Sequence, residues 1–211
     1  MTTLLLIAKE PLPGKAKTRL HPPLTLDQSA ELAAACIADT VDATATLPAT
    51  RRVLLFAGER TPAGTEQFEV MGQSGGGLDE RLADAFDALD GPTLLIGMDT
   101  PQLTAAMLTP VFAEWPDDVD AWFGPADDGG FWALGLREPR GDLVRGVEMS
   151  TDATGAEQLA RLHAAGLTVA MLPPLLDVDT IDDARAVAAS APHTRFARLL
   201  AEFEWEGRLI A

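Results

Sequence analysis

The sequence predicts a three-layer α/β/α sandwich with a mixed, mainly parallel central sheet. Three observations carry this expectation. The first half of the chain alternates apolar strands and helical stretches over short links, the pattern of βαβ units. Two of the strands, Thr3–Ala8 (TLLLIA) and Thr93–Gly97 (TLLIG), are unbroken apolar runs, which suits strands covered on both faces. The 211 residues are 47% hydrophobic, enough for one core of ordinary size, so positions 1–211 read as one domain.

The first strand, Thr3–Ala8, must stop at Lys9-Glu10-Pro11-Leu12-Pro13-Gly14, where two prolines and a glycine break it. Thr25 opens a helix, with Gln28 three residues on completing a capping box. That helix runs to about Ala43 with Leu32, Cys36 and Ile37 on one face. Arg52–Ala57 is the second strand. A Gly/Gln/Ser loop at 72–77 leads to a helix over Asp79–Leu89, where Leu82, Ala83, Phe86 and Leu89 keep a 3.6 period. The third strand, Thr93–Gly97, ends at Met98-Asp99-Thr100-Pro101, and a helix follows over Thr104–Glu114. Ala121–Gly124 and Phe131–Leu136 are two more strands. Asp152–Ala165 is helical and closes on Gly166, a residue suited to a left-handed helix end. Leu167–Leu172 is the last strand, and Asp182–Ala189 and Thr194–Glu206 are the last helices.

Composition narrows the function. There are 32 acids against 16 Lys and Arg, a formal charge of −16. So acidic a surface is unsuited to gripping a nucleic-acid backbone or coating an anionic membrane. The single cysteine, Cys36, excludes an internal disulfide and a cysteine zinc site. His21, His163 and His193 are far apart in sequence and offer no metal-binding pair. No apolar run approaches the ~20 residues of a membrane span, and the short N-terminal run lacks a signal peptide's charged start. A cytoplasmic protein is the expectation.

The bases are informative because they are few. The only lysines, Lys9, Lys15 and Lys17, fall within nine positions, and Arg19 follows. They border Gly14 directly after a buried strand. Amides with Lys and Arg are what a diphosphate requires, and Gly14 lets backbone approach it, although the Walker spacing is absent. In open parallel sheets ligands bind beyond the carboxyl ends of the strands. Two acidic loops should share that edge. Asp99 ends an apolar strand, where a lone carboxylate needs solvent or a partner. It either caps a turn or helix before Pro101 or stands where a Mg²⁺ ion bridging phosphates would be held. In Asp177-Val178-Asp179 an extended backbone would point both acids to one side. Thr180 and Asp182-Asp183 suit the cap and first turn of the next helix. The Asp127-Asp128-Gly129-Gly130 link is either the floor of a ligand site or an ordinary hairpin turn. Gly75–Arg81 is either a clasp for a base or a flexible link. Ser150-Thr151 either binds an acceptor or caps the following helix.

Taken in order, these segments resemble a known family. PGKAKTRL (Pro13–Leu20), GLDERLADAF (Gly77–Phe86), IGMDTPQL (Ile96–Leu103), GPADDGGFWALGL (Gly124–Leu136) and DVDT (Asp177–Thr180) are similar to GT-A-type glycosyltransferases of the arsenosugar-biosynthesis type. These belong to the nucleotide-diphospho-sugar transferase superfamily, whose sandwich is Rossmann-like. The likeness spans Ala8 to about Arg185. Met149 replaces the family's usual aromatic residue and Phe131 its usual tyrosine. A more distant resemblance is to the 2-phospho-L-lactate or phosphoenolpyruvate guanylyltransferase and the molybdenum-cofactor guanylyltransferase.

The resemblance implies a Mg²⁺- or Mn²⁺-dependent enzyme that uses a nucleotide or nucleotide-sugar donor and a small-molecule acceptor, as a monomer or homodimer. It implies metal on Asp99 with Asp177 or Asp179. It places nucleotide at Lys9, Pro13, Gly14, Lys15, Lys17, Thr18 and Arg19, and at Gly77, Asp79 and Arg81. It places substrate at Asp128, Gly129, Gly130, Phe131, Ser150 and Thr151. Lys17 and Arg19 become the electrostatic clamp and Asp128 the base of an inverting glycosyl transfer. A nucleotidyltransferase, whose attacking phosphate needs no base, is the alternative reaction. A nucleotide-binding regulator without catalysis is the alternative of another class.

Overall fold

The computed structural model describes residues 2–210, with side chains described as far as Trp205. Seven strands form one sheet: β1 (Thr3–Lys9), β2 (Arg51–Ala57), β3 (Glu69–Gly72), β4 (Thr93–Ile96), β5 (Ala121–Pro125), β6 (Phe131–Leu136) and β7 (Val169–Met171). Their spatial order is β3-β2-β1-β4-β6-β5-β7. The β1–β2, β1–β4, β2–β3 and β5–β7 pairs are parallel, and only β6 runs against its neighbours β4 and β5. The mixed, mainly parallel sheet is as expected. Strand β3 was not anticipated; it is a four-residue edge strand with mostly exposed side chains, paired only with β2.

The described residues form six helices: α1 (Leu26–Thr44), α2 (Leu78–Asp87), α3 (Ala105–Ala113), α4 (Thr154–Ala164), α5 (Ile181–Ser190) and α6 (Arg195–Ile210). Successive strand residues face opposite layers. Leu4, Leu6, Leu54 and Ile96 pack with Ile37 of α1 and Leu108 of α3. Leu5, Val53, Leu55 and Leu95 pack with Leu82 and Phe86 of α2 and Leu162 of α4. A third cluster lies behind α1, joining Leu32 and Cys36 to Val187 of α5 and Phe196 and Leu200 of α6. Helix α1 is therefore buried on two sides, which explains its alanine-rich sequence.

The caps follow the expected chemistry. Thr25 accepts from the Gln28 amide while the Gln28 side chain accepts from the Thr25 amide. Thr180 and Asp183 make the same exchange at α5. Gly166 (φ 78°) closes α4 in the left-handed conformation. Ser150 and Thr151 do not cap α4, which starts later, at Thr154. No described helix is long and apolar enough to cross a membrane.

Candidate active site

Chain order reverses at β1: β2 and β3 lie on one side, β4 on the other. Such a reversal opens a crevice at the carboxyl ends of the two central strands. The loop after β1 carries the lysine cluster and the loop after β4 carries Asp99, so the crevice brings both together.

The lysine loop is fixed by its apolar members. Ala16 is fully buried under the sheet and Leu20 is fully buried behind α1. Between these anchors Lys17 adopts φ 50° and ψ 36°, a left-handed conformation uncommon away from glycine. Its side chain turns inward and is only 5% exposed, whereas Lys9, Lys15, Thr18 and Arg19 stay at the surface. The Lys17 ammonium lies 2.6 Å from Asp99 Oδ1 and donates to the Val178 carbonyl. Burial alone lowers the pKa of this amine, but the nearby charges, Asp99 foremost, more than offset that and raise it. Cys36 lies beneath; burial pushes its thiol up, so it is inert. The amides of Lys15 and Ala16 are spent on the Leu12 carbonyl and cannot serve a ligand.

Val178 organises the acidic segment. Its side chain is fully buried among α1, α5 and α6, and its amide donates to the Asp99 carbonyl at 3.0 Å. With Val178 pulled inward, Asp177 and Asp179 stand on either side of it. Asp179 accepts from Arg19 at 3.0 Å. Asp177 Oδ1 is buried with no hydrogen-bond partner. Burial, together with the charges of Asp99, Asp128 and Asp179 and against the pull of Lys17, pushes this carboxyl up to about 7. Gln102 braces the segment through the Leu176 carbonyl at 2.7 Å. A cleft of about 170 Å³ opens here, lined by Lys9, Lys17, Thr18, Arg19, Met98, Asp99 and Asp179.

Of the other candidates, Gly77, Asp79, Arg81 and Ser150 line a larger cleft of about 510 Å³. One wall is Gly77, Leu78, Asp79 and Arg81 at the start of α2; the other is Gly146–Ser150. Arg81 is committed to the scaffold: it donates to the carbonyls of Gly76 and Gly77 and to Gln73 Oε1, and Gln73 in turn donates to the Ala8 carbonyl. Asp79 bridges the two walls by accepting from the Gly146 amide at 2.8 Å. Ser150 (φ 63°) is strained open, and Thr151 sits beside it, its amide donating to Thr154 Oγ1 at 3.1 Å. Thr154 donates to the Glu148 carbonyl.

The Asp128 turn docks on the start of α4, beyond this wall. Gly129 adopts φ 90° and its carbonyl accepts from the Gly155 amide at 2.8 Å. A Cβ there would lie 2.1 Å from the Asp152 carbonyl oxygen, so only glycine fits. Asp128 Oδ1 accepts from the Gly130 amide. Phe131 turns away onto Phe123, ring centroids 5.6 Å apart, and packs on the α2/α4 layer. Pro13 and Gly14 (φ 73°) are exposed at the tip of the first loop.

Among the described residues no three side chains converge tightly enough to cage a metal alone. The pair Asp99 and Asp177 nonetheless fits a divalent cation. Asp177 keeps a buried acceptor with no donor, beside a second carboxylate, and hard oxygens suit Mg²⁺ or Mn²⁺. Sequence reasoning did not single out Val178 or Gln102. The alternation Asp-Val-Asp signals Val178; nothing in the sequence marks Gln102.

Comparison with known proteins agrees with this architecture. Residues 34–151 match the model of a family described as "Uncharacterized protein conserved in bacteria (DUF2064)". The chain belongs to this family. The search of curated proteins found no match. Among solved structures, this DUF2064 member is similar to a protein from Desulfovibrio desulfuricans G20 named by its crystallographers as a candidate nucleotide-diphospho-sugar transferase. The two share 25% identity over 99% of this chain and 97% of that one, with a TM-score of 0.84. The 2-C-methyl-D-erythritol 4-phosphate cytidylyltransferase of Thermus thermophilus shares 16% identity over 91% and 100%, TM-score 0.54. Glucosyl-3-phosphoglycerate synthase of Mycobacterium tuberculosis, solved with Mn²⁺ and UDP, shares 10% over 89% and 76%, TM-score 0.52. The last two likenesses establish the fold.

Proposed function

We propose that this protein is a divalent-metal-dependent glycosyltransferase that moves a sugar from a nucleotide-diphospho-sugar to a small acceptor. The observation that carries this is the buried, partnerless Asp177 oxygen near Asp99, which itself lines a cleft bordered by lysines at the sheet's reversal point. The likeness along nearly the whole chain to a protein named as a candidate nucleotide-diphospho-sugar transferase supports it.

Asp99 and Asp177 would hold Mg²⁺ or Mn²⁺, with Asp179 available once Arg19 turns to a phosphate. When bound, the metal neutralises charge on the leaving diphosphate. Lys9, Lys15 and Arg19 hold that diphosphate from the solvent side, with Pro13, Gly14 and Thr18 framing it. The wall at Gly77, Asp79 and Arg81 receives the nucleoside. The wall at Ser150 and Thr151, with the Gly129–Gly130 turn, receives the acceptor. Asp128 takes the proton from the acceptor hydroxyl as its oxygen bonds to the anomeric carbon. The carbon–oxygen bond to the diphosphate breaks, and nucleoside diphosphate leaves.

The test is a panel of sugar nucleotides and nucleoside triphosphates with Mg²⁺, scored by melting temperature and by product. Stabilisation by UDP- or GDP-sugars with release of nucleoside diphosphate is expected, and Asp99→Ala should abolish it. Release of pyrophosphate from GTP or CTP would instead identify a nucleotidyltransferase. Binding without turnover of any donor would indicate a regulator.

A further inference from the structure

We infer that Lys17 is an internal counter-cation: it holds Asp99 until a phosphate group draws its ammonium away, so metal and nucleotide bind together rather than independently. The inference rests on the transferase reading of this site and adds a coupling which that reading does not require.

The geometry has four parts. The Lys17 ammonium sits 2.6 Å from Asp99 Oδ1 and also bonds the Val178 carbonyl, so it occupies the face of Asp99 that turns toward the acidic segment. Its side chain is 5% exposed while Asp99 remains 41% exposed, so the carboxylate still reaches the cleft that a ligand enters. The residue is held by a left-handed backbone between two buried anchors, Ala16 and Leu20. Such conformations persist in a non-glycine residue only where the surroundings impose them. Finally, Lys17 lines the same cleft as Lys9, Thr18 and Arg19, so a phosphate placed there has the ammonium within the wall.

Two cations cannot share one carboxylate oxygen at short range without strong repulsion. A metal arriving alone must therefore strand a buried ammonium with no anion to receive it. A metal arriving with a diphosphate supplies that anion. Each ligand then strengthens the other by the same factor, as linkage requires. Lys17 is thus a positioning residue whose removal should move metal affinity and phosphate affinity in opposite directions. A lysine that only stabilised the fold would weaken both.

The experiment titrates Mn²⁺ alone, then Mn²⁺ with pyrophosphate, into wild type, Lys17→Met and Lys17→Gln. Free Mn²⁺ is read by electron paramagnetic resonance. Asp99→Ala gives the background of Mn²⁺ on the acidic surface. Lys17→Met should bind Mn²⁺ alone about tenfold more tightly than wild type, the effect of removing one competing charge from a buried carboxylate. It should bind pyrophosphate in the presence of Mn²⁺ less tightly. Lys17→Gln keeps a donor for Val178 and gives the same comparison if the methionine variant does not fold. Unchanged or weaker Mn²⁺ binding by the folded variants overturns the inference, even if the wild type transfers sugar. A gain in Mn²⁺ affinity without any turnover of nucleotide sugars would leave the inference standing and overturn the transferase reading.

Discussion

Replacing Asp177 by asparagine should stabilise the metal-free protein at alkaline pH. The carboxyl sits among Asp99, Asp128 and Asp179, its Oδ1 is buried without a donor, and its pKa is pushed from the ordinary 3.8 to about 7. The unfolded chain gives up this proton near 3.8, whereas the folded chain keeps it to about 7. Between those values the folded state binds more protons, so stability falls as pH rises through the window and stays low above it. At about 1.4 kcal/mol per tenfold, the displacement corresponds to a cost on the order of 4 kcal/mol. Asparagine has nearly the same shape and never ionises, so it escapes that cost. In a protein of this size the difference amounts to roughly 10 °C in melting temperature. The assay is a pair of thermal melts in EDTA from pH 4 to pH 8. The two proteins should melt together near pH 4 and diverge above it, the variant higher. Added Mn²⁺ should then raise the wild type and leave the variant nearly unmoved, because a ligand stabilises only the fold that binds it. Parallel melting curves across the range, or a variant that melts lower at pH 8, would refute the reasoning.

Three further outcomes follow from the structure. Asp128→Asn should lower kcat by about 10²–10⁴ with KM largely kept, measured by acceptor-dependent release of nucleoside diphosphate, since it removes a proton acceptor and little else; undiminished turnover would dismiss Asp128 as the base. Gly129→Ala forces a side chain into a φ of 90° and within 2.1 Å of the Asp152 carbonyl, so urea denaturation should show a loss of about 2–4 kcal/mol. Asp39→Ala should cost about 2–3 kcal/mol in the same assay, because Asp39, itself 8% exposed, accepts from the Arg195 and Phe196 amides at 3.0 and 2.9 Å in the first turn of α6.

The parts of this fold that were legible in the sequence are those decided locally. The apolar runs of β1 and β4 declare strands buried on both faces, and the Thr25–Gln28 and Thr180–Asp183 exchanges mark helix starts. Strand β3 was not legible because four residues with exposed side chains carry almost no period; its existence depends on the free edge of β2. The site divides in the same way. Its acids and bases were visible as types and positions. Their partners were not, because partners come from contacts between distant segments, such as Lys17 with Asp99 and Val178, and Arg19 with Asp179. Lys17 was legible as part of the clamp, but nothing in the sequence marks it as buried while Lys9 and Lys15 are exposed. That difference arises from a left-handed turn between two residues, Ala16 and Leu20, that packing pulls in different directions. Arg81 and Phe131 show contacts that motif matching does not reveal. Arg81 lines the larger cleft and also braces its own loop, and Phe131 packs on Phe123.

The charge balance gains its meaning from these contacts. A net charge of −16 with all lysines in one loop suggests a positive patch waiting for an anion. The folded loop is not so simple. Lys17 is already neutralised by Asp99, and Arg19 by Asp179, leaving Lys9 and Lys15 as the lysines that enter no ion pair among the described residues. Two exposed ammonium groups over a nest of carboxylates are a weak attraction for a diphosphate, the more so because water and salt screen them. The acids that spoil the patch are the same ones a divalent cation needs. On the proposed reading, a cation seated on Asp99 and Asp177 would remove negative charge from beneath the phosphate. It would also free Lys17 to point at that phosphate, so one event would make the cleft more cationic. The acid excess would then be compatible with an anionic substrate, because the metal would invert the local field.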